Sequence, residues 1–316
     1  MPSFPPAVRA DPAGLNPRAA APGARTAAAV AASGSLSRQR LLFGLGAVAV
    51  ALAYLPVLAG LASDWATNPN YSHGFVIPFA VAYIVWRQRA QLRRLPVRPS
   101  AWGWVLAIVS QVIYLVGYLG AEYFLQRISL LFLIAGGIVL LYGWRHLHSQ
   151  LFSLALLLIA IPLPALIFNA IAFPLQLLAS SWATGLLHAV GIPVFRSGNI
   201  LVLPHRSLDV AEACSGIRSL FSLIALAMIV AYFVPARAWM RLGLVLTAVP
   251  IALAANAFRI GATGVLGQWM GAAASEGFFH AFSGWLIFVV AFAALLGEAA
   301  LVHRMAERRG GARAAV

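Results

Sequence analysis

Long apolar runs, broken by short polar or arginine-bearing stretches, set the pattern of this chain. A helix that crosses a bilayer needs roughly 20 apolar residues. Runs near that length cover about Leu41 to Ala62, Ala101 to Gly120, Ile128 to Trp144, Ile217 to Val234, Leu242 to Ile260 and His280 to Val302. Gly74 to Trp86 makes a shorter run, and another begins near Leu151, where Pro162 and Pro164 should kink or end it. These predict about eight transmembrane helices. Residues 168–190 are apolar too, but they carry Asn169, Gln176, Ser180, Ser181, Thr184 and His188. A crossing there would invert the arginine-bearing loops that follow, so a re-entrant or interfacial helix on the outer side is expected. From Ile192 to Val210, turn residues flank Asn199-Ile200-Leu201-Val202-Leu203, a pattern for a small hairpin or extended strand in an outer loop.

The fold class expected is therefore an all-α integral membrane protein. It is a polytopic bundle with a short re-entrant or interfacial helix and a periplasmic loop. Residues 1–37, rich in Ala, Pro, Gly and Arg without helical periodicity, read as a disordered cytoplasmic tail. Residues 38–303 form the transmembrane domain, and 304–316 a basic cytoplasmic tail.

Composition agrees with the pattern. The chain is 62% hydrophobic and 9% charged, with mean hydropathy +0.87, outside the range of soluble domains. The net charge of +14 arises from 22 basic against 8 acidic residues, and every basic residue is Arg. Arg87, Arg89, Arg93, Arg94 and Arg98 follow the second run, Arg237 and Arg241 the sixth, and Arg304, Arg308, Arg309 and Arg313 the last. Basic residues gathered between spans mark the cytoplasmic side; they are not a nucleic-acid surface. A basic patch on anionic lipid is compatible with the same topology. The stretch Asp64 to His73 has no Arg and belongs outside. Its Tyr71 and His73 read as interface anchors, with a place in an active site as the second reading. His146 and His148, two apart beside Arg145, read as loop.

One cysteine among 316 residues excludes an intramolecular disulfide and a CxxC motif. Cys214 stands where a polar loop meets the apolar run from Ile217, with Glu212 and Arg218 nearby. Nearby positive charge and a helix N-terminus both favour a thiolate. The alternation of spans places Cys214 at the outer start of the sixth helix. Arg259 falls in the last turn of the seventh and His280 at the outer start of the eighth. A thiol supplies a nucleophile, an imidazole exchanges protons, and a guanidinium offers fixed positive charge to an oxyanion. Acyl transfer at a peptide bond fits those three. No P-loop, Ser/His/Asp elbow or metal-ligand spacing competes, so neither cofactor nor metal is expected. Two other readings stand beside it. One is a non-enzymatic transporter or scaffold of polysaccharide export, with Arg218 and Arg259 along an anion path. The other is a haem-binding bundle, for which His73, His188 and His280 are too scattered.

Ala213-Cys214-Ser215-Gly216-Ile217-Arg218-Ser219, Asn256-Ala257-Phe258-Arg259-Ile260, and His280 with Gly284 one turn on resemble the exosortase/archaeosortase signature. Asn70-Tyr71-Ser72-His73-Gly74 and the basic stretch after Trp86 are similar to the N-terminal part of exosortases. The likeness spans about Leu41 to Val302. It implies a multi-pass enzyme of the bacterial inner membrane with its active site facing the periplasm. His280, where archaeal relatives can have a second Arg, points to the bacterial branch. The implied activity is a cysteine protease or transpeptidase acting on membrane-anchored proteins with a C-terminal PEP-CTERM signal, in exopolysaccharide-linked export. The acyl acceptor is left open. The family's catalytic Cys, Arg and His fall on Cys214, Arg259 and His280. Glu212, Arg218, Asn256, Tyr71 and His73 are candidate supporting residues.

Overall fold

The computed structural model describes residues 44, 46, 48–204, 206–210, 216–270 and 277–314. The chain divides into two compact units, Met1–Pro56 and Val57–Val316. The described residues of the first are helical and open α1 (Val48–Thr67). In the second unit, a 3₁₀ helix, Pro69–Phe75, leads into α2 (Val76–Arg94). Then come α3 (Trp102–Leu119), α4 (Tyr123–Leu141), α5 (Trp144–Ile159) and α6 (Ala165–Ala189). The strands β1 (Phe195–Ser197), β2 (Ile200–Leu203) and β3 (Arg206–Asp209) precede α7 (Ile217–Phe233), α8 (Ala238–Met270) and α9 (Gly277–Ala314).

Six helices among the described residues are long and apolar enough to cross a membrane: α1, α3, α4, α6, α8 and α9. The 17-residue α7 is apolar but shorter. The all-α polytopic architecture expected from the pattern is thus observed.

Several boundaries differ from the pattern. Arg87, Arg89, Arg93 and Arg94 ride on α2, because Arg is a good helix former and cations suit a helix C-terminus. His146 and His148 lie in the first turns of α5 and not in a loop, and His146 is buried. In place of a short re-entrant segment, α6 is one continuous helix of 25 residues. Its polar side chains need no interface: Ser180 Oγ donates to the Gln176 carbonyl (2.8 Å) and Thr184 Oγ1 to that of Ser180 (2.9 Å). The helix α8 continues ten residues past Ile260, so Arg259 sits well inside it and not in its last turn. The C-terminal arginines Arg304 and Arg308 extend α9. Residues 1–37, assigned to a tail, lie outside the described residues.

The packing follows small residues, as expected where helices cannot gain from expelling water. A Cβ on Gly103 of α3 would stand 2.5 Å from the Leu140 backbone nitrogen of α4, and Ser110 Oγ donates to the Ser129 carbonyl at 2.8 Å. Glu122 caps α4 by accepting from the Phe124 N–H at 3.1 Å. Arg127 of α4, 7% exposed, pairs with the half-exposed Asp64 of α1 at 2.6 Å. α7, α8 and α9 share the largest core, built on Leu223, Leu244 and Leu295. α6 runs beside the second half of α8. Leu175 borders a hollow with Val249 and Ala252, and Leu187 lies 3.0 Å from where a Cβ on Gly264 would stand.

The segment after α6 forms a three-stranded antiparallel sheet, order β1-β2-β3, one strand more than a hairpin. Leu201 pairs with Leu208, and Val202 with both Phe195 and Ser207. Leu201, Leu203 and Val210 pack with Ala179 and Ala183 of α6 and with Ile260 of α8. The sheet is thereby fixed beside Arg259.

Candidate active site

The site begins with the 3₁₀ helix. Asn68 accepts from the Asn70 N–H (3.0 Å) and Pro69 opens the turn, so this polar stretch is ordered. Trp65 Nε1 donates to the Ala160 carbonyl at 2.8 Å, and Tyr71 Oη accepts from the Leu163 N–H at 3.2 Å. His73 Nε2 lies 3.4 Å from the Ile159 carbonyl, which requires that nitrogen to carry the proton. His73 Nδ1 is then an acceptor, buried without a hydrogen-bond partner among the described residues. Two side chains of the 3₁₀ helix and one from the end of α1 therefore pin this stretch to the last residue of α5 and the segment after it. Gly74 is required there, because a Cβ would enter the Trp65 indole.

Tyr71 and His73 are thus packed groups and not the interface anchors expected. The Tyr71 ring, 6% exposed, lies among Phe168, Phe221 and Ile217. Burial holds its phenol above the ordinary pKa of 10.0, against the opposing Leu163 hydrogen bond. Burial also lowers the His73 pKa below the ordinary 6.5, so the ring is neutral at pH 7. Ser72, between them, borders the central cleft.

That cleft, about 360 Å³, lies between the start of α7, the middle of α8 and α9. Its polar rim holds Gly216, Arg218, Ser219, Asn256 and Arg259, and its floor includes Leu223, Ala252, Phe288 and Ala291. Gly216 caps α7 with φ 68°, a left-handed conformation that suits glycine. No side chain among the described residues caps α7. Ser219 Oγ turns back to the Gly216 carbonyl at 2.7 Å.

Asn256 and Arg259, three apart on α8, share one face of the helix. Asn256 is 3% exposed and its Nδ2 has no hydrogen-bond partner among the described residues. Arg259 is half-buried, with Gly284 of α9 so near that a Cβ there would lie 3.2 Å from Nη1. His280 falls one helical turn before Gly284 in α9.

The structure thus brings Arg218, Asn256 and Arg259 to one cleft and places the backbone of His280 one turn from it. Cys214 and Glu212 lie outside the described residues; Gly216, two residues beyond Cys214, is on the cleft rim. Two guanidinium groups and the positive end of α7 give the cleft an anion-binding character. No carboxylate stands among its described lining residues. Ser72, Ser219 and Ser222 also border it, none of them named as a site residue from the sequence. For Ser222, its spacing of four from Arg218 along α7 was the available signal.

A family model described as transmembrane exosortase matches residues 65–297, which include every residue of this cleft. No curated protein and no solved structure matches the chain.

Proposed function

Because the chain belongs to the transmembrane exosortase family, a family of multi-pass membrane protein-sorting enzymes, we propose that it is a cysteine protease or transpeptidase. It would act on membrane-anchored proteins bearing a C-terminal PEP-CTERM-like signal. The observation that carries this reading is the cleft at the start of α7. It joins Arg259 and Asn256 to the helix terminus that follows Cys214.

The Cys214 thiolate attacks the scissile carbonyl carbon. The C=O π pair moves onto oxygen, giving a tetrahedral oxyanion. A helix N-terminus two residues after the thiol, with Arg218 and Arg259 near, favours both thiolate and oxyanion. Arg259 is the stabilising cation, and the unpartnered Asn256 Nδ2 suits a donor that steadies the nucleophile loop or the oxyanion. Collapse of the intermediate breaks the C–N bond. His280 protonates the departing amine, leaving a thioacyl on Cys214. An acceptor nucleophile, water or an amine, then releases the acyl group and returns the proton through His280. Glu212 and Tyr71 are supporting residues in this scheme, and so is His73, whose 3₁₀ helix borders the same cleft.

The setting follows from the same reading: the bacterial inner membrane, with the cleft facing the periplasm and export linked to exopolysaccharide. The test is conversion of such a substrate to its shorter form in cells carrying Cys214→Ala. A transporter or scaffold would tolerate that change.

A further inference from the structure

Strand β3 sits at an edge of the sheet and pairs only with β2 among the described residues. Which of its backbone groups are used follows from one bond. Val210 N–H donates to the Asn199 carbonyl at 3.0 Å, which makes 199 and 210 a hydrogen-bonded pair. Such pairs alternate along an antiparallel ladder. With Leu201 opposite Leu208 and Leu203 opposite Arg206, residues 206 and 208 bond inward to β2. Ser207 and Asp209 therefore turn their N–H and C=O groups to the open edge.

We propose that this edge binds the substrate as an added strand, an extended peptide segment on one side of the scissile bond. The proposal rests on the cysteine transpeptidase reading above. Three observations select peptide as the occupant. β3 ends at Asp209, five residues before Cys214 in the chain, so a strand paired to it is held close to the nucleophile. Val210, 1% exposed, packs with Ile260, the neighbour of Arg259, which fixes the strand beside the cleft. The opposite edge is a poor alternative. By the same alternation β1 offers only Arg196, whose guanidinium is turned to the Leu177 and Gly198 carbonyls at 3.4 and 3.3 Å. Hydrolysis needs an extended backbone, because a helical segment keeps its carbonyls bonded to itself.

The test uses the full chain in lipid nanodiscs and a synthetic peptide carrying a PEP-CTERM-type signal. Single N-methyl groups are placed at successive backbone nitrogens around the cleavage position. Each removes one donor. Docking on β3 predicts a period of two: alternate positions raise KM roughly five- to tenfold, the loss of about one hydrogen bond, and those between change it little. On the enzyme side, Ser207→Pro and Asp209→Pro remove edge-facing donors only, which an edge strand accepts, and each should raise KM by a similar factor. An N-methyl scan without the two-residue period, or Pro variants with wild-type KM, would overturn the docked strand. Cys214→Ala run in parallel separates the two claims. If it abolishes cleavage while the scan is flat, only the docking mode falls. Cleavage that persists in Cys214→Ala overturns the catalytic assignment and the strand with it.

Discussion

Gly216 and Asn256 meet so closely that a Cβ on the glycine would stand 2.5 Å from the Asn256 Cγ and 2.7 Å from its Cβ. The contact locks the start of α7 onto α8, one turn from Arg259. Gly216 also has φ 68°, so an L side chain there meets both a clash and a strained backbone.

Gly216→Ala should therefore destabilise the protein by about 1–3 kcal/mol and remove most processing. Thermal unfolding in detergent measures the first effect and substrate conversion the second. Asn256→Gly removes the atoms that a methyl on Gly216 would meet within 3 Å, the Asn256 Cβ included. The double variant should then lose less stability than the two single losses combined, because the clash is relieved while the φ strain stays. Strict additivity would show that the two residues do not press on each other.

The Gly216–Asn256 contact was only half legible. The sequence pattern marks both residues as part of a signature, yet nothing in a sequence states that two positions forty apart exclude a Cβ. The ends of α8 were misread for a related reason. Gly261, Ala262 and Gly264 look like loop, but in a membrane bundle small residues let helices approach. Gly264 does this against Leu187. Tyr71 was read as a belt aromatic because nothing in its own segment shows that Phe168 and Phe221 will enclose it. By contrast, the start of α7 and the presence of strand structure after Ile192 were plain, since apolar continuity and turn residues are local signals. The third strand was not, because β3 has no apolar run of its own.

Topology gives a second prediction. At about 1.5 Å per residue, the 33 residues of α8 measure about 50 Å, well over a hydrocarbon core of about 30 Å. Its overhanging end is the part that α6 and the sheet pack against. A reporter fused after Arg94 should read cytoplasmic and one near Asn199 periplasmic. Both on one side would mean that α5 and α6 either both cross the bilayer or both fail to, and would put the proposed catalytic groups on the cytoplasmic side.

His73 predicts a pH effect. Burial lowers its pKa in the folded protein below the unfolded value near 6.5. The unfolded chain then binds the proton more tightly. His73 leaves stability intact above pH 6.5 and erodes it as pH falls from there through the folded pKa. Unfolding temperatures measured between pH 7.5 and 5 should fall more steeply for the wild type than for His73→Gln. Parallel curves would mean that the ring titrates alike in both states.

Arg259 tests the role of charge. A planar fork with five donors fits an oxyanion or carboxylate better than an ammonium does. Arg259→Lys should leave weak processing and Arg259→Ala none, each with normal abundance in the membrane. Full conversion by the alanine variant would remove Arg259 from the mechanism.

Cys214 carries the most direct prediction. Cys214→Ala removes one sulfur, a packing loss on the order of 1 kcal/mol, too small to unfold a bundle of this size. The variant should be inserted and abundant yet unable to shorten its substrate, so that lost activity reports on chemistry and not on folding. His280→Ala leaves the thiol but removes its proton partner, and cleavage should slow by roughly 10²–10⁴-fold. Because the chain has a single cysteine, a membrane-permeant thiol reagent can label no other residue, and co-expressed substrate should protect it. An enzyme with another nucleophile would process normally in Cys214→Ala cells. A transporter would show no substrate-dependent protection, because no substrate segment would rest on the thiol.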